Sequence, residues 1–246
     1  MISNFQTDAR TATLVPPTPT ATAAAIRRRL FDVVVALIGL IAFLPVLIPV
    51  VIAIRLDSSG PILFSQDRLG QNGRLFRLYK FRKFRHGCHG RAVTLMDDNR
   101  MTRVGRFLER TKIDEVPQLW NVLRGDMAVV GPRPETLDFA DCFDGPFAAV
   151  LAHRPGIFGP NQVHFRNECR LYPENIDPHV FYRAVLFPAK ARADLEYFSR
   201  RRLDQDMVWV VRGVLAVFGI GLPAEQVLNR LRNPQAQPSE PERQPE

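Results

Sequence analysis

The feature that most constrains this chain is an uncharged apolar stretch near its N-terminus. From Val33 to Ile54 it reads VVVALIGLIAFLPVLIPVVIAI, which is 22 residues without a charge. About 20 such residues are enough for a helix to cross a bilayer. Pro45 and Pro49 lie in its second half, and each removes a backbone donor from a helix. The stretch therefore predicts a membrane helix that breaks near these prolines.

The charges that flank this stretch favour a helix that returns to its own side of the membrane. Arg27, Arg28 and Arg29 precede it, and residues 55–112 hold 14 Lys and Arg against 5 Asp and Glu. Basic flanks normally stay on the cytoplasmic side, where anionic lipid attracts them. A spanning helix would leave one basic flank outside. The pattern favours a re-entrant helix, with a spanning helix as the main alternative and a buried core helix as a weaker one.

Composition and charge bound the remaining possibilities. The chain has 246 residues, of which 46% are hydrophobic, and a net charge of +8, so it can form a core and requires an anionic partner or surface. Three cysteines without a CxxC pair indicate a reducing compartment. We divide the chain into an unstructured extension (1–25), a membrane helix (26–56), a cytoplasmic domain (57–220), and a C-terminal helix with a polar tail (221–246).

The pattern after the apolar stretch predicts an α+β domain that is predominantly helical and contains one small β-hairpin. Asn72-Gly73 lies between alternating runs, which predicts strands near 62–67 and 75–81. An amphipathic helix is expected near 100–110, with an apolar side formed by Val104, Phe107 and Leu108.

Three further helices are predicted from proline and glycine positions. A short helix from Pro117 to Arg124 should end at Gly125, and two others should begin near Asp177-Pro178 and Pro188. The stretch DQDMVWVVRGVLAVFGIG, from Asp204, is apolar at helical spacing. It fits either a core helix or a helix lying at the membrane interface.

Two adjacent carboxylates, Asp114 and Glu115, stand out in this basic chain. Thr111 and Asp114 fit the capping-box pattern, so one interpretation is that the acids only cap a helix. The other depends on the surrounding cations, which are suited to phosphate. These are Arg68, Lys80, Arg82, Arg100, Arg103, Arg110, Lys112 and Arg133.

Acids among cations at a membrane surface predict a diphosphate substrate and Mg²⁺, which prefers one or two carboxylates plus phosphate oxygens. An aspartate can also attack phosphorus directly, while arginines stabilise charge on the transferred group. Two other clusters carry less weight. A metal site at His86, Cys88 and His89 lacks a second group of ligands, and the basic, aromatic RLFRLYKFRKFR more plausibly packs in the hairpin than binds nucleic acid.

Several long segments resemble the bacterial sugar transferases, small monotopic polyprenyl-phosphate phosphoglycosyl transferases. The segments are RRLFD, SSGPILFSQDRLGQNGRLFRLYKFR, TRVGRFLERTKIDEVPQLWNVLRGDMAVVGPRPE, HRPGIFGPNQV and PAKARADLEYFSRRRLDQDM. The resemblance implies a re-entrant helix opened by Asp32, interfacial helices, and a catalytic domain facing the cytoplasm at the bacterial inner membrane. It implies a UDP-sugar donor, a polyprenyl phosphate acceptor at the inner leaflet, and Mg²⁺.

The same resemblance implies residue roles. Asp114 would be the nucleophile that takes the sugar-1-phosphate and releases UMP, and Glu115 would hold Mg²⁺ or assist proton transfer. Arg133 matches the arginine of the family's GPRP motif, expected at a phosphate. We treat the other candidate cations, Lys80, Arg82, Arg68, Arg110 and Lys112, as further phosphate ligands. A homodimer is one assembly that we consider. A non-catalytic membrane scaffold and a membrane-tethered nucleic-acid binder are the competing functions.

Overall fold

A computed structural model describes residues 19–88 and 98–220 of the chain. Predictions that concern residues 1–18, 89–97 or 221–246, including those for His89 and the C-terminal tail, lie outside the described residues.

The described part is mostly helical, with two small sheets, in agreement with the predicted fold class. Short 3₁₀ turns connect several elements, and a π-helical segment (Tyr182–Leu186) joins α5 to α6. The helices are α1 (Pro19–Asp57), α2 (Arg103–Thr111), α3 (Gln118–Arg124), α4 (Pro160–His164), α5 (Pro178–Phe181), α6 (Phe187–Phe198) and α7 (Leu203–Val217), and the strands are β1 (Leu63–Leu69), β2 (Leu75–Phe81), β3 (Ala128–Val130) and β4 (Gly156–Phe158).

The apolar stretch forms one continuous helix, so its helical backbone is not interrupted at Pro45, whereas a bend at Pro45 and Pro49 stays a prediction. Helix α1 runs through both Pro45 and Pro49 and begins at Pro19, inside the segment 1–25 that we predicted to be unstructured. A proline removes only one hydrogen bond, and the turns on either side can keep helical backbone. The helix is long and apolar enough to cross a membrane, and only 11% of its most apolar window is buried.

The N-terminal part of α1 is bound to the rest of the domain. The guanidinium of Arg29 donates to the carbonyls of Val122 and Leu123 at 2.6 and 2.7 Å, at the C-terminal end of α3. The buried carboxylate of Asp32 accepts from the amide of Val129 at 2.8 Å. These contacts fix this end of α1 against α3 and β3.

The C-terminal part of α1 is bound to the same domain. Val50 and Ile54 pack with Phe81 of β2 and Leu108 of α2 in one apolar cluster. Asp57 accepts from the amide of Val104 at 3.0 Å, which ties the end of α1 to the start of α2. Both ends of the long helix therefore contact one domain, while the apolar side chains between them are mostly exposed.

The β-hairpin and the short helices follow the sequence closely. Strands β1 and β2 pair antiparallel across a turn in which Asn72 and Gly73 have positive φ of 57° and 72°. Helix α3 ends at Gly125, whose φ of 89° gives the left-handed cap that we predicted. Asp177 caps α5 by accepting from the amides of His179 and Val180. These local predictions are confirmed.

A second sheet, which we did not predict, positions the loop that carries Arg133. Strands β3 and β4 pair in parallel over three residues each. A Cβ added at Gly131 would lie 2.2 Å from the carbonyl oxygen of Arg154, and one at Gly156 would lie 2.0 Å from the amide nitrogen of Gly131. The close backbone approach therefore requires glycine at both positions.

Helix α7 packs one side against the domain, as the core-helix alternative predicts, and the membrane-interface alternative stays a prediction. Trp209 and Ala216 lie on its buried side, whereas Met207, Val211 and Phe218 are exposed on the other. The apolar residues thus divide between a packed face and an exposed face. The predicted common face of α2 is also split, because Leu108 is buried and Phe107 is more than half exposed.

Candidate active site

The acid pair lies in a tight connection between α2 and α3 and not inside a helix. Lys112 adopts the left-handed conformation (φ 59°) that ends α2, and Ile113–Glu115 form a 3₁₀ turn directly before α3. Thr111 is the last residue of α2, and its hydroxyl donates to the carbonyl of Phe107. The capping-box prediction is therefore wrong, and the two acids do not cap a helix.

Glu115 is paired with two cations that belong to different parts of the chain. Its Oε1 atom lies 2.8 Å from Nζ of Lys80 on β2 and 3.5 Å from Nη2 of Arg133. Burial alone would raise the pKa of this carboxyl group, but the charges of Lys80 and Arg133 hold it well below its ordinary value. Glu115 is therefore ionised at neutral pH.

Asp114 has the opposite environment. Its side chain is buried, and its Oδ1 atom has no hydrogen-bond partner within the described residues. Burial and the neighbouring charge of Glu115 raise its pKa above the ordinary value. Adjacent carboxyl groups whose pKa values are driven apart suit different chemical roles. Among the described residues, Oδ1 of Asp114 therefore lacks a hydrogen bond that would stabilise a negative charge on it.

Lys80 and Arg133 supply the positive charge of the site. Burial lowers the pKa of Lys80 to about 8, so most of this ammonium remains charged at neutral pH. Arg133 is held between two prolines and has about a third of its side chain exposed. Glu115 and the nearby Glu168 and Glu135 raise its pKa despite burial. Its guanidinium can therefore meet an anion that arrives from solvent.

Arg82, which we predicted to lie with the two acids at a phosphate, instead contacts the chain at the end of α1. Its buried guanidinium donates to the carbonyls of Ser58 (2.7 Å) and Ser59, just beyond the C-terminal end of α1. This arginine holds the chain where α1 enters the hairpin. Other cations of the hairpin also have protein partners, since Arg77 pairs with Asp67 and Lys83 with Glu109.

Of the other predicted phosphate ligands, Arg68 is nearest to the Arg133 loop. It donates to the carbonyl of Pro134 at 3.2 Å, and burial lowers its pKa to about 10. Lys112 adjoins the acids along the chain, and its charge lowers the pKa of both. Arg110 is exposed on α2, where its carbonyl accepts from Arg166.

Sequence reasoning missed a buried polar group next to Arg133. Glu135 accepts from the hydroxyl of Tyr182 at 2.6 Å, and Lys190 lies 2.7 Å from Glu168. Lys190 is almost completely buried, with 3% of its side chain exposed. Lys190 stands among alanines in α6, which favours a buried position. Because a lysine is almost never fully buried without a partner, this pattern could have revealed the group.

The carboxylates of the site fit Mg²⁺ only together with a phosphate-bearing ligand. No group of three or more His, Cys, Asp or Glu side chains suited to a metal occurs within residues 19–88 and 98–220. The Asp114 carboxylate and the second oxygen of Glu115 offer the one or two carboxylate ligands that Mg²⁺ usually takes beside phosphate oxygens. The unpartnered Oδ1 of Asp114 is consistent with such a role.

Comparison with known proteins identifies the family. The profile of the bacterial sugar transferases matches residues 23–219. The chain belongs to the bacterial sugar transferase family. It is 37% identical over 194 residues to a UDP-glucose:undecaprenyl-phosphate glucose-1-phosphate transferase of Caulobacter vibrioides, a match that covers 77% of this chain and 68% of that protein.

Other sugar transferases are longer than this chain. It is 40% identical over 170 residues to the galactosyl transferase CpsE of Streptococcus agalactiae, covering 64% of this chain and 38% of that protein. It is also 40% identical over 141 residues to a UDP-N-acetylgalactosamine-undecaprenyl-phosphate N-acetylgalactosaminephosphotransferase of Aeromonas hydrophila, covering 55% and 33%. The chain thus spans little more than a third of these two relatives.

The two acids of this sugar transferase should affect its stability in opposite directions. At pH 7 we expect Glu115→Gln to lower the free energy of unfolding by about 3 kcal/mol, because Lys80 and Arg133 lose their buried partner. Asp114→Asn should raise it, because a carboxyl group whose pKa is raised by folding lowers stability at every pH above its unfolded-state pKa.

The pH dependence follows from the same pKa directions. Glu115 has a depressed pKa, so its contribution is present above about pH 4.3 and is lost as the pH falls through the folded-state value. The gain from Asp114→Asn should also vanish below about pH 4, because the carboxyl group is then protonated in both the folded and the unfolded state. Chemical unfolding at pH 7 and pH 4 measures both effects. Equal destabilisation by the two variants at pH 7 would contradict this description.

Proposed function

We propose that this chain transfers a sugar-1-phosphate from a UDP-sugar to a polyprenyl phosphate with release of UMP, as the first step in assembling a polysaccharide. The proposal rests chiefly on the buried side chain of Asp114, whose Oδ1 has no hydrogen-bond partner among the described residues, beside Glu115, whose own charge is balanced by Lys80 and Arg133. Two relatives named as undecaprenyl-phosphate sugar phosphotransferases support the same reaction class.

The proposed first step forms a phospho-aspartate. An oxygen of Asp114 attacks the sugar-bearing phosphorus of the donor, and the bond from this phosphorus to the bridging oxygen breaks. UMP leaves with that electron pair. Arg133 stabilises the charge that develops on the phosphoryl oxygens. Lys80 keeps Glu115 ionised and in place. Mg²⁺ held by Asp114 and Glu115 together with the donor phosphates would lower the repulsion between the attacking carboxylate and the diphosphate.

The proposed second step regenerates the carboxylate. A phosphate oxygen of the polyprenyl phosphate attacks the same phosphorus, the bond to Asp114 breaks, and the electron pair returns to the aspartate. The product is a polyprenyl diphosphate sugar. Two displacements at one phosphorus allow UMP to leave before the lipid reacts, so a single set of cations serves both.

We also propose that α1 enters and leaves the membrane on the cytoplasmic side. Residues 32–54 of a helix span roughly 33 Å, about the thickness of the hydrocarbon core. Because Asp32 and Ile54 both contact the same domain, a spanning orientation would carry polar parts of that domain through the bilayer. The exposed apolar side chains of α1 and α7 would face lipid, and the acid pair would lie at the inner leaflet.

The test of the reaction is UMP release from a panel of UDP-sugars with a polyprenyl phosphate acceptor. We expect release with at least one donor, and we expect Asp114→Asn to reduce it by about 10⁴-fold or more, as removal of a covalent nucleophile does. Membrane association should be unchanged in this variant. Asp204→Asn serves as the matched control, because it makes the same change at an exposed carboxylate that pairs with Arg202. Full turnover by Asp114→Asn, as expected of a scaffold with a contaminating activity, would refute the proposal.

The test of the topology uses single cysteines at the exposed positions Ala23 and Leu56, in a background in which Cys88, Cys142 and Cys169 are serine. A membrane-impermeant maleimide should label both positions in inside-out membrane vesicles and neither in intact spheroplasts. A cysteine at Leu44 should be protected in both preparations. Labelling of one flank from each side would establish a spanning helix.

A further inference from the structure

The buried lysine on α6 lies at the centre of a polar group that reaches the acid pair through Arg133. The Nζ atom of Lys190 lies 2.7 Å from Oε2 of Glu168, 2.9 Å from the hydroxyl of Tyr182 and 3.6 Å from Oε1 of Glu135. It also lies 4.6 Å from the centre of the Tyr182 ring. All these partners surround a cation that solvent hardly reaches.

The π-helical segment explains how Tyr182 and Lys190 come together. Residues eight apart in an α-helix are about 80° out of line, whereas residues seven apart lie on nearly the same face. A π turn accommodates roughly one extra residue. With the extra residue in the segment Tyr182–Leu186, two side chains eight residues apart face the same way as two side chains seven residues apart in a regular α-helix. The irregular backbone places the two side chains on one face, toward Glu135.

Arg133 is the link between this group and the acid pair. Its Nη2 atom lies 3.5 Å from Oε1 of Glu115, and Arg133 lines one small cavity together with Glu135, two residues further along the same loop. Its positive charge also interacts with Glu168. Two of these three acids are already matched by Lys190. Without Lys190, the remaining charges that act on these acids include Arg133 for Glu168 and both Arg133 and Arg68 for buried Glu135. An acid that loses its partner would therefore compete with Glu115 for Arg133.

We propose that Lys190 is a positioning residue of the transferase site. By satisfying Glu135 and Glu168, it leaves Arg133 directed toward Glu115 and the phosphates of the donor. This inference rests on the proposed function for the identity of the donor, but the contact network itself does not. Lys190 touches neither Asp114 nor Glu115 among the described contacts, so it acts through Arg133.

The first experiment needs no substrate. The ¹⁵Nε signal of Arg133, assigned by its loss in Arg133→Lys, reports the ion pairing of this guanidinium in the full-length protein. We expect Lys190→Met to shift the signal and Lys190→Arg to leave it near its wild-type position. The control is Ile54→Ala, which opens a cavity in the apolar cluster of α1, β2 and α2 and should lower stability without moving the signal. An unchanged signal in folded Lys190→Met would overturn the proposal.

The second experiment measures the affinity for UDP in the presence of Mg²⁺ by calorimetry. Lys190→Met should weaken binding about tenfold, in line with the loss of one charged hydrogen bond, and Lys190→Arg should restore most of it. Adding Glu168→Gln to Lys190→Met should also recover affinity, because one buried acid no longer competes for Arg133. A merely structural role predicts that the double variant binds no better than the single one.

A double-mutant cycle separates coupling from general damage. Lys190→Met and Arg133→Met should together cost no more affinity for UDP than Arg133→Met alone, because Lys190 acts only through Arg133. Additive losses would overturn the proposal. If the wild-type protein releases UMP from no UDP-sugar, the proposed transfer function is refuted, and the ligand-free Arg133 signal still decides whether Lys190 positions this arginine.

Discussion

The ion pair between Lys80 and Glu115 is the interaction on which the site depends. It joins the hairpin to the 3₁₀ turn before α3, two parts of the chain that are 35 residues apart. Because Lys80 and Arg133 balance the charge of Glu115, the neighbouring Asp114 receives little of their hydrogen bonding and remains buried without a partner at Oδ1. One acid of the pair is stabilised by its neighbours, and in our proposal the other is the nucleophile.

The surrounding fold holds these parts in place with few regular strands. Two glycines allow β3 and β4 to approach closely, and the parallel pair leads directly into the loop that presents Arg133. Helix α1 is tied to the same region, since Asp32 binds the amide of Val129 on β3 and Arg29 closes the end of α3. In our proposal, this connection places the reactive acid at the membrane surface, where a lipid-linked phosphate is available.

Local signals in the sequence predicted local structure well. Asn72-Gly73 predicted the hairpin and its approximate bounds, and Gly125 predicted the end of α3. The acid pair was singled out as a candidate site because it lies among cations in the sequence. The helix through Pro45 and Pro49 was predicted to break because sequence reasoning considered each lost hydrogen bond and not the turns retained on either side. The phosphate role assigned to Arg82 ignored the free carbonyls at the end of a helix, which compete for the same side chain.

What the sequence did not reveal depends on contacts between distant residues. Glu135, Glu168 and Lys190 form one buried group only because α6 packs behind the Arg133 loop, and no spacing along the chain indicates this. The short parallel pair of β3 and β4 was missed for the same reason, since three-residue strands carry too weak a pattern to recognise.

The central claim is that Asp114 becomes covalently phosphorylated during turnover, and mass spectrometry of the protein incubated with a UDP-sugar alone tests it most directly. The account predicts a phosphosugar adduct on the peptide that contains Asp114, absent from Asp114→Asn and discharged when polyprenyl phosphate is added. A preparation that turns over both substrates but shows no adduct, or carries it on another residue, would contradict the account.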